Sequence, residues 1–200
     1  MTVVVLIGIL AVIAIPTASR MMRENRSATA AQRIALMYQV ARARAIGRGV
    51  AVLVRYKGGT FEVREAITGD ANSLMPVSSC TMPKTRWNDG STLFLPIEAF
   101  SLGGQAPYEL VKTYFSDNAV NASGTTTTVV LGESDVGDVC FTPNGTMMYR
   151  TGSTGAFTTS ARTLMVRVVQ MSGTTEIGVS RTVFILPNGV ARVAARATVN

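Results

Sequence analysis

The residues able to carry chemistry are few and widely spaced. Cys80 and Cys140 stand sixty positions apart with no C-x-x-C pair, so thiol redox catalysis has no motif to work with. Two sulfurs cannot build a four-sulfur zinc site, and a crosslink or two buried thiols are the readings that remain. Glu133, Asp135 and Asp138 fall within six positions among glycines. Calcium takes oxygen ligands of this kind, but the EF-hand spacing is absent, and a solvated acidic loop is the plainer reading. The chain contains no histidine, which removes the commonest general base and metal ligand and every Ser-His-Asp or Cys-His arrangement. No glycine-rich phosphate loop appears. The residues therefore point to no catalytic set, no metal site and no cofactor.

Any function must then lie in surfaces, and charge is their first clue. The 200 residues carry 19 Lys and Arg against 12 Asp and Glu, a net +7. Residues 1–15 carry no charge, and residues 16–57 hold nine basic groups against Glu24 alone. Residues 58–149 are net acidic, and residues 150–200 hold six arginines against Glu176. Hydrophobic residues make up 47% of the chain, which is too apolar for disorder and enough for one domain with an appendage.

The elements follow from periodicity. Met1 to Ile15 reads as an apolar helix, and Pro16 removes one helical hydrogen bond and should kink or locally melt it. Fifteen helical residues span only about 22 Å, short of the roughly 30 Å hydrocarbon core of a bilayer. From Thr17 to Ile46 there is neither glycine nor proline, and Ala30, Ile34, Met37, Ala41 and Ala45 form an apolar stripe on one helical face. Gly47 and Gly49 supply the stop. Residues 1–47 thus read as one long helix, apolar on all sides over 1–15 and amphipathic over 16–47.

From Gly49 the period changes to two. Val50, Val52, Val54 and Tyr56, then Phe61 and Val63, flank Lys57-Gly58-Gly59-Thr60 as a hairpin. Further strands are expected at Thr92–Leu95, Thr125–Leu131, Val139–Thr142, Thr146–Arg150, Thr163–Gln170, Ile177–Leu186 and Val190–Ala194. Pro143-Asn144-Gly145 and Pro187-Asn188-Gly189 repeat one turn signal. The expectation is an α+β fold, with a long helix followed by an all-β globule of about eight strands over 48–200.

The stretch MTVVVLIGILAVIAIP, followed by a polar helix, resembles the N-terminal helix of type IV pilins and type II secretion pseudopilins. The order of helix, early hairpin, F-x-P-x-G strand pair and late strand with a basic tail resembles the GspH/FimT family of minor pilins. The class also has an N-terminal phenylalanine and an early glutamate after a basic leader. The sequence shows none of these, and alignment by the proline places Met1 inside the mature helix.

The resemblance implies a spine helix whose filament-core or membrane residues are Val3, Val4, Val5, Leu6, Ile7, Ile9, Leu10, Val12, Ile13, Ile15 and Pro16. It implies a head domain in the oxidising periplasm, where a Cys80–Cys140 disulfide is favoured. The implied role is that of a minor pilin in the tip complex that starts pilus assembly and joins tip to shaft. Its partners are other minor pilins, the major pilin, a tip adhesin and, before assembly, the inner membrane. The alternatives are a minor pseudopilin of type II secretion and a DNA-binding minor pilin for DNA uptake. Some relatives bind DNA through a Gly-Arg-x-Arg motif. Here the stretch is Gly189-Val190-Ala191-Arg192, which lacks one arginine, so Arg192 and Arg196 imply a weak DNA or partner contact, with DNA the lesser expectation. The acidic 133–138 stretch and the basic tail are candidate complementary edges toward neighbouring subunits.

Overall fold

The computed structural model describes the backbone of residues 2–68, 75–81, 98–102, 111–120, 126–130, 136–152, 155–159, 163–172 and 175–194. Side chains are described for residues 24–67, 75–81, 98–102, 136–152, 155–159, 163–169, 175 and 179–194.

One helix, α1 (Thr2–Arg48), opens the chain. Its helical backbone continues through Pro16, so the local melting expected there does not occur. Its buried face carries Ala31, Ile34, Met37, Tyr38, Ala41 and Ala45, as the 3.6-residue period of the stripe requires. It ends where the Gly49 N–H donates to the Ala45 carbonyl at 3.1 Å.

Thirteen strands follow: β1 (Val52–Lys57), β2 (Thr60–Glu65), β3 (Ile67–Thr68), β4 (Met75–Pro76), β5 (Glu98–Ser101), β6 (Val111–Val120), β7 (Thr126–Val130), β8 (Val136–Phe141), β9 (Met147–Thr151), β10 (Thr158–Thr159), β11 (Leu164–Ser172), β12 (Thr175–Ile185) and β13 (Ala191–Ala194). They form a six-stranded sheet in the order β10-β9-β8-β1-β2-β5, a five-stranded sheet in the order β13-β12-β11-β6-β7, and the small pair β3-β4. Every pairing is antiparallel.

The helix packs against β11, β12 and β13 of one sheet and β1, β2 and β8 of the other. Tyr38 sits at the centre of this junction. Its ring meets Phe61 and Phe141 edge-on, with centroids 6.5 Å apart in both cases. Such pairs add about 0.5–1.5 kcal/mol each beyond the area they bury. Val52, Val54, Val139, Leu164, Val166, Val183 and Ile185 complete the core from both sheets.

The two repeated turns fold identically. Thr142 and Leu186 donate their N–H groups to the carbonyls of Thr146 and Val190, and Gly145 and Gly189 donate back to Thr142 and Leu186. Asn144 and Asn188 each accept the backbone N–H two residues on. This is the three-residue hairpin loop built on a type I turn, whose glycine takes the left-handed position.

The expected α+β class, a hydrophobic-then-amphipathic spine helix with about eight strands, needs correction. Among the described residues the chain is mostly β, with ten strands of four or more residues and three of two residues. Among the described residues no helix is long and apolar enough to cross a membrane. From Glu24 the helix is instead a core element of the β globule, with its inner face buried. The expected strand count is too low because clean alternation does not mark every strand. Val111–Val120 contains Ser116-Asp117-Asn118, which resembles turn chemistry, yet it pairs with β11 from Val111↔Gln170 to Asp117↔Leu164. Thr92–Leu95 lies outside the described residues.

Candidate interaction surface

The two cysteines join. Cys80, just after β4, and Cys140, inside β8, form a disulfide with S–S 2.08 Å and Cα–Cα 6.2 Å. Both are buried, and with Ala51, Leu53, Ala66 and Val77 they form a second, smaller core. The bond fastens the 75–81 segment onto the sheet, reinforced by Ala51 N–H donating to the Val77 carbonyl at 2.7 Å and Val77 N–H to that of Ala66 at 3.0 Å. No cysteine is left free.

The acidic cluster divides. Glu133 and Asp135 lie outside the described residues, whereas Asp138 is 0% exposed in the middle of β8. The expectation that 133–138 forms one exposed acidic edge therefore fails at Asp138. The register places Arg55, Asp138 and Arg150 in one cross-strand row over β1, β8 and β9. Arg55 donates through Nε and Nη2 to the two Asp138 oxygens, each at 2.7 Å, and Arg150 Nε donates to Oδ2 at 2.8 Å. The Arg150 guanidinium also lies 4.5 Å over the Phe157 ring. Two guanidiniums take three of the roughly four lone-pair sites of this carboxylate, and its burial closes it to a ligand from solvent. Its work is to hold three strands in register. The charge reaches Tyr38 as well, whose hydroxyl is pushed well above its ordinary pKa by burial and secondarily by Asp138. Sequence reasoning missed this triad. The available signal was one charged residue of each sign placed inside strands that are apolar on both sides, Val54-Arg55-Tyr56 and Gly137-Asp138-Val139.

What remains is surface. On one flank of the helix Gln39 Nε2 donates to the Ala191 carbonyl of β13 at 2.8 Å. On the other, the Arg33 guanidinium lies 4.5 Å over Phe100 of β5, and Arg44 and Arg48 reach Glu65 of β2 at 2.5 and 3.1 Å. β13 and β5 are the terminal strands of their sheets, so the two flanks of the helix each reach an edge strand while its inner face packs across both sheets. Its outer face carries Asn25, Thr29, Gln32, Leu36, Val40, Ala43 and Gly47, all exposed and none charged. Leu36 is 55% and Val40 39% exposed, unusual for aliphatic side chains on a helix that already buries another face.

Arg192 is exposed on β13, and among the described residues it makes no ion pair. Arg196 lies outside the described residues, so the structure does not bring the two together. Val3, Val4, Val5, Leu6, Ile7, Ile9, Leu10, Val12, Ile13, Ile15 and Pro16 lie on the helical backbone of α1, and their side chains lie outside the described residues. Among the described residues no three His, Cys, Asp or Glu side chains converge on a metal position. No family model, curated protein or solved structure matches the chain.

Proposed function

We propose that the chain is a non-catalytic assembly subunit, a minor pilin that helps to start a type IV pilus and joins its tip to the shaft. One observation carries this reading. From Glu24 the helix is seated in the core of a β globule, and a strip along its outer side leaves the aliphatic Leu36 and Val40 exposed. In this reading the exposed aliphatic strip packs against the helices of other pilins. The disulfide supports a periplasmic head, since such bonds persist in oxidising compartments. Partners in this reading are other minor pilins, the major pilin and a tip adhesin.

The test is genetic and structural together. Deleting the gene should strip pili from the cell surface, and complementation with the full chain should restore them. Antibody gold should then decorate filament ends. Intact pili with a failure of protein secretion would move the assignment to a type II pseudopilin.

The exposed Arg192 favours a DNA reading only weakly. One arginine releases about one counterion, and non-specific duplex binding lies near 10⁻⁴ M or weaker at physiological salt. We expect binding of that order for the full chain at about 0.15 M salt. Micromolar duplex binding lost on Arg192→Ala and Arg196→Ala, with no pilin partner found, would overturn this ordering in favour of a DNA receptor.

A further inference from the structure

We propose that the free edge of β13 accepts an extended strand from another subunit, with an apolar residue opposite Val193 and carboxylates on either side of it. The proposal deepens the assembly reading by giving it one docking surface, and its test does not depend on pili.

The backbone argument comes first. In an antiparallel pair, hydrogen-bonded and non-hydrogen-bonded residue pairs alternate. The hairpin between β12 and β13 is closed at Leu186/Val190, where the Leu186 N–H donates to the Val190 carbonyl at 2.9 Å. The register Ile185↔Ala191, Phe184↔Arg192, Val183↔Val193 then makes Phe184/Arg192 the next bonded pair. Ala191 and Val193 accordingly turn their N–H and C=O groups away from β12, toward the free edge. The Ala191 carbonyl is met by Gln39. Among the described residues, the N–H and C=O of Val193 meet nothing. A terminal strand with such groups open is a ready template for one more strand.

Side chains set what that strand must look like. Gly189 lies against Arg42 and Ala191 against Gln39, so β13 runs antiparallel to the helix and carries Val193 toward the Leu36 turn. Val193 is 38% exposed and Leu36 55%. A residue pairing with Val193 points to this side and should be apolar. Its two neighbours point to the opposite face, the face of exposed Arg192, and should be acidic. The same arginine opposes pairing of β13 with β13 of a second copy, because like charges would stand side by side. Of the other edges of the two large sheets, β10 is only two residues long, β5 carries Glu98, which repels an acidic strand, and β7 (Thr126–Val130) has no basic residue to select one.

The probe is the peptide acetyl-Thr-Glu-Val-Glu-Val-Glu-Thr-amide, with its Lys-for-Glu counterpart as control. Both are titrated into isotopically labelled full chain, held in mild detergent, and followed by amide NMR and hydrogen exchange. The acidic peptide should shift and protect the amides of Ala191 and Val193, and the basic peptide should bind at least tenfold more weakly. Arg192→Glu should reverse that preference. Val193→Pro removes only the edge-facing N–H and leaves the ladder to β12 intact, and it should weaken the acidic peptide at least tenfold. If Val193→Pro melts the hairpin, seen as lost protection at Phe184, Arg192→Glu decides alone. Equal binding of both peptides, binding of neither, or protection mapping to another edge would overturn the proposal. Those outcomes leave the assembly function itself standing.

Discussion

The twin turns offer an internal control for the contact between helix and hairpin. Gly145 and Gly189 occupy the same turn position with φ of 81° and 77°, so alanine at either meets the same left-handed backbone penalty of about 1–2 kcal/mol. Their surroundings differ. A methyl group at 145 meets nothing within 4 Å, whereas at 189 it falls 2.7 Å from Arg42 Cδ and 2.9 Å from Phe141 Cε1. The arginine stem can swing aside. The Phe141 ring is fully buried and held edge-on against Tyr38, so it cannot move without disturbing the core. Overfilling a packed site adds about 1–3 kcal/mol. Gly145→Ala should therefore destabilise by about 1–2 kcal/mol and Gly189→Ala by about 2–5 kcal/mol. Urea denaturation of the full chain, followed by circular dichroism, measures both as midpoint shifts at constant slope. Combining Gly189→Ala with Arg42→Ala should recover part of the loss, as non-additivity between contacting residues. Equal losses at the two glycines, or strict additivity with Arg42→Ala, would refute the claim that the helix is seated against this turn.

Asp138→Asn should cost about 3–5 kcal/mol, because it strands the buried Arg55 guanidinium, and a change below about 1 kcal/mol in the same urea assay would count against the triad as a register clamp. Cys80→Ser, or reduction, opens a loop of 60 residues and should cost about 4 kcal/mol. Free alkylation of both thiols in unreduced material would contradict the bond. Tyr38 has its pKa raised by burial and then by Asp138, so the folded state holds that proton more tightly than the unfolded state does. Its contribution is whole below the ordinary tyrosine pKa near 10 and declines as pH rises beyond it. Stability should fall between about pH 10 and 11.5 in the parent and fall less in Tyr38→Phe, and identical slopes would remove Tyr38 as the cause.

Local chemistry was legible wherever one short segment determines the outcome. The Gly58-Gly59 hairpin pairs Val52↔Glu65 through Lys57↔Thr60, and both Pro-Asn-Gly turns close as their residues dictate. The helical stripe at Ile34, Met37, Ala41 and Ala45 is buried. What the chain hides is non-local. Nothing near Asp138 in sequence reveals that Arg55, in a strand eighty-three positions away, neutralises it, so an acid inside β8 passed for part of a loop. Strand β6 shows the same limit, since its polar residues are accommodated by pairing with β11 rather than by alternation of its own. The exposed edge of β13 could not be read either, because which carbonyls face outward depends on the hairpin register.

The attachments of the helix decide how a pull on it would be distributed. Between residues 24 and 48 the helix is tied to β13 through Gln39 and to β2 through Arg44 and Arg48, while Tyr38 lodges between Phe61 of β2 and Phe141 of β8. A pull on the helix is therefore delivered to both sheets at once rather than peeling one strand. Behind that junction, the Arg55–Asp138–Arg150 row and the Cys80–Cys140 bond tie β1, β8, β9 and the 75–81 segment together on the side of the sheet away from the helix. The core positions are committed to holding this frame. Charge-free Leu36 and Val40 and the open edge at Val193 contribute little to it and remain exposed. If the chain works by assembly, as proposed, selectivity for partners resides in positions of that kind.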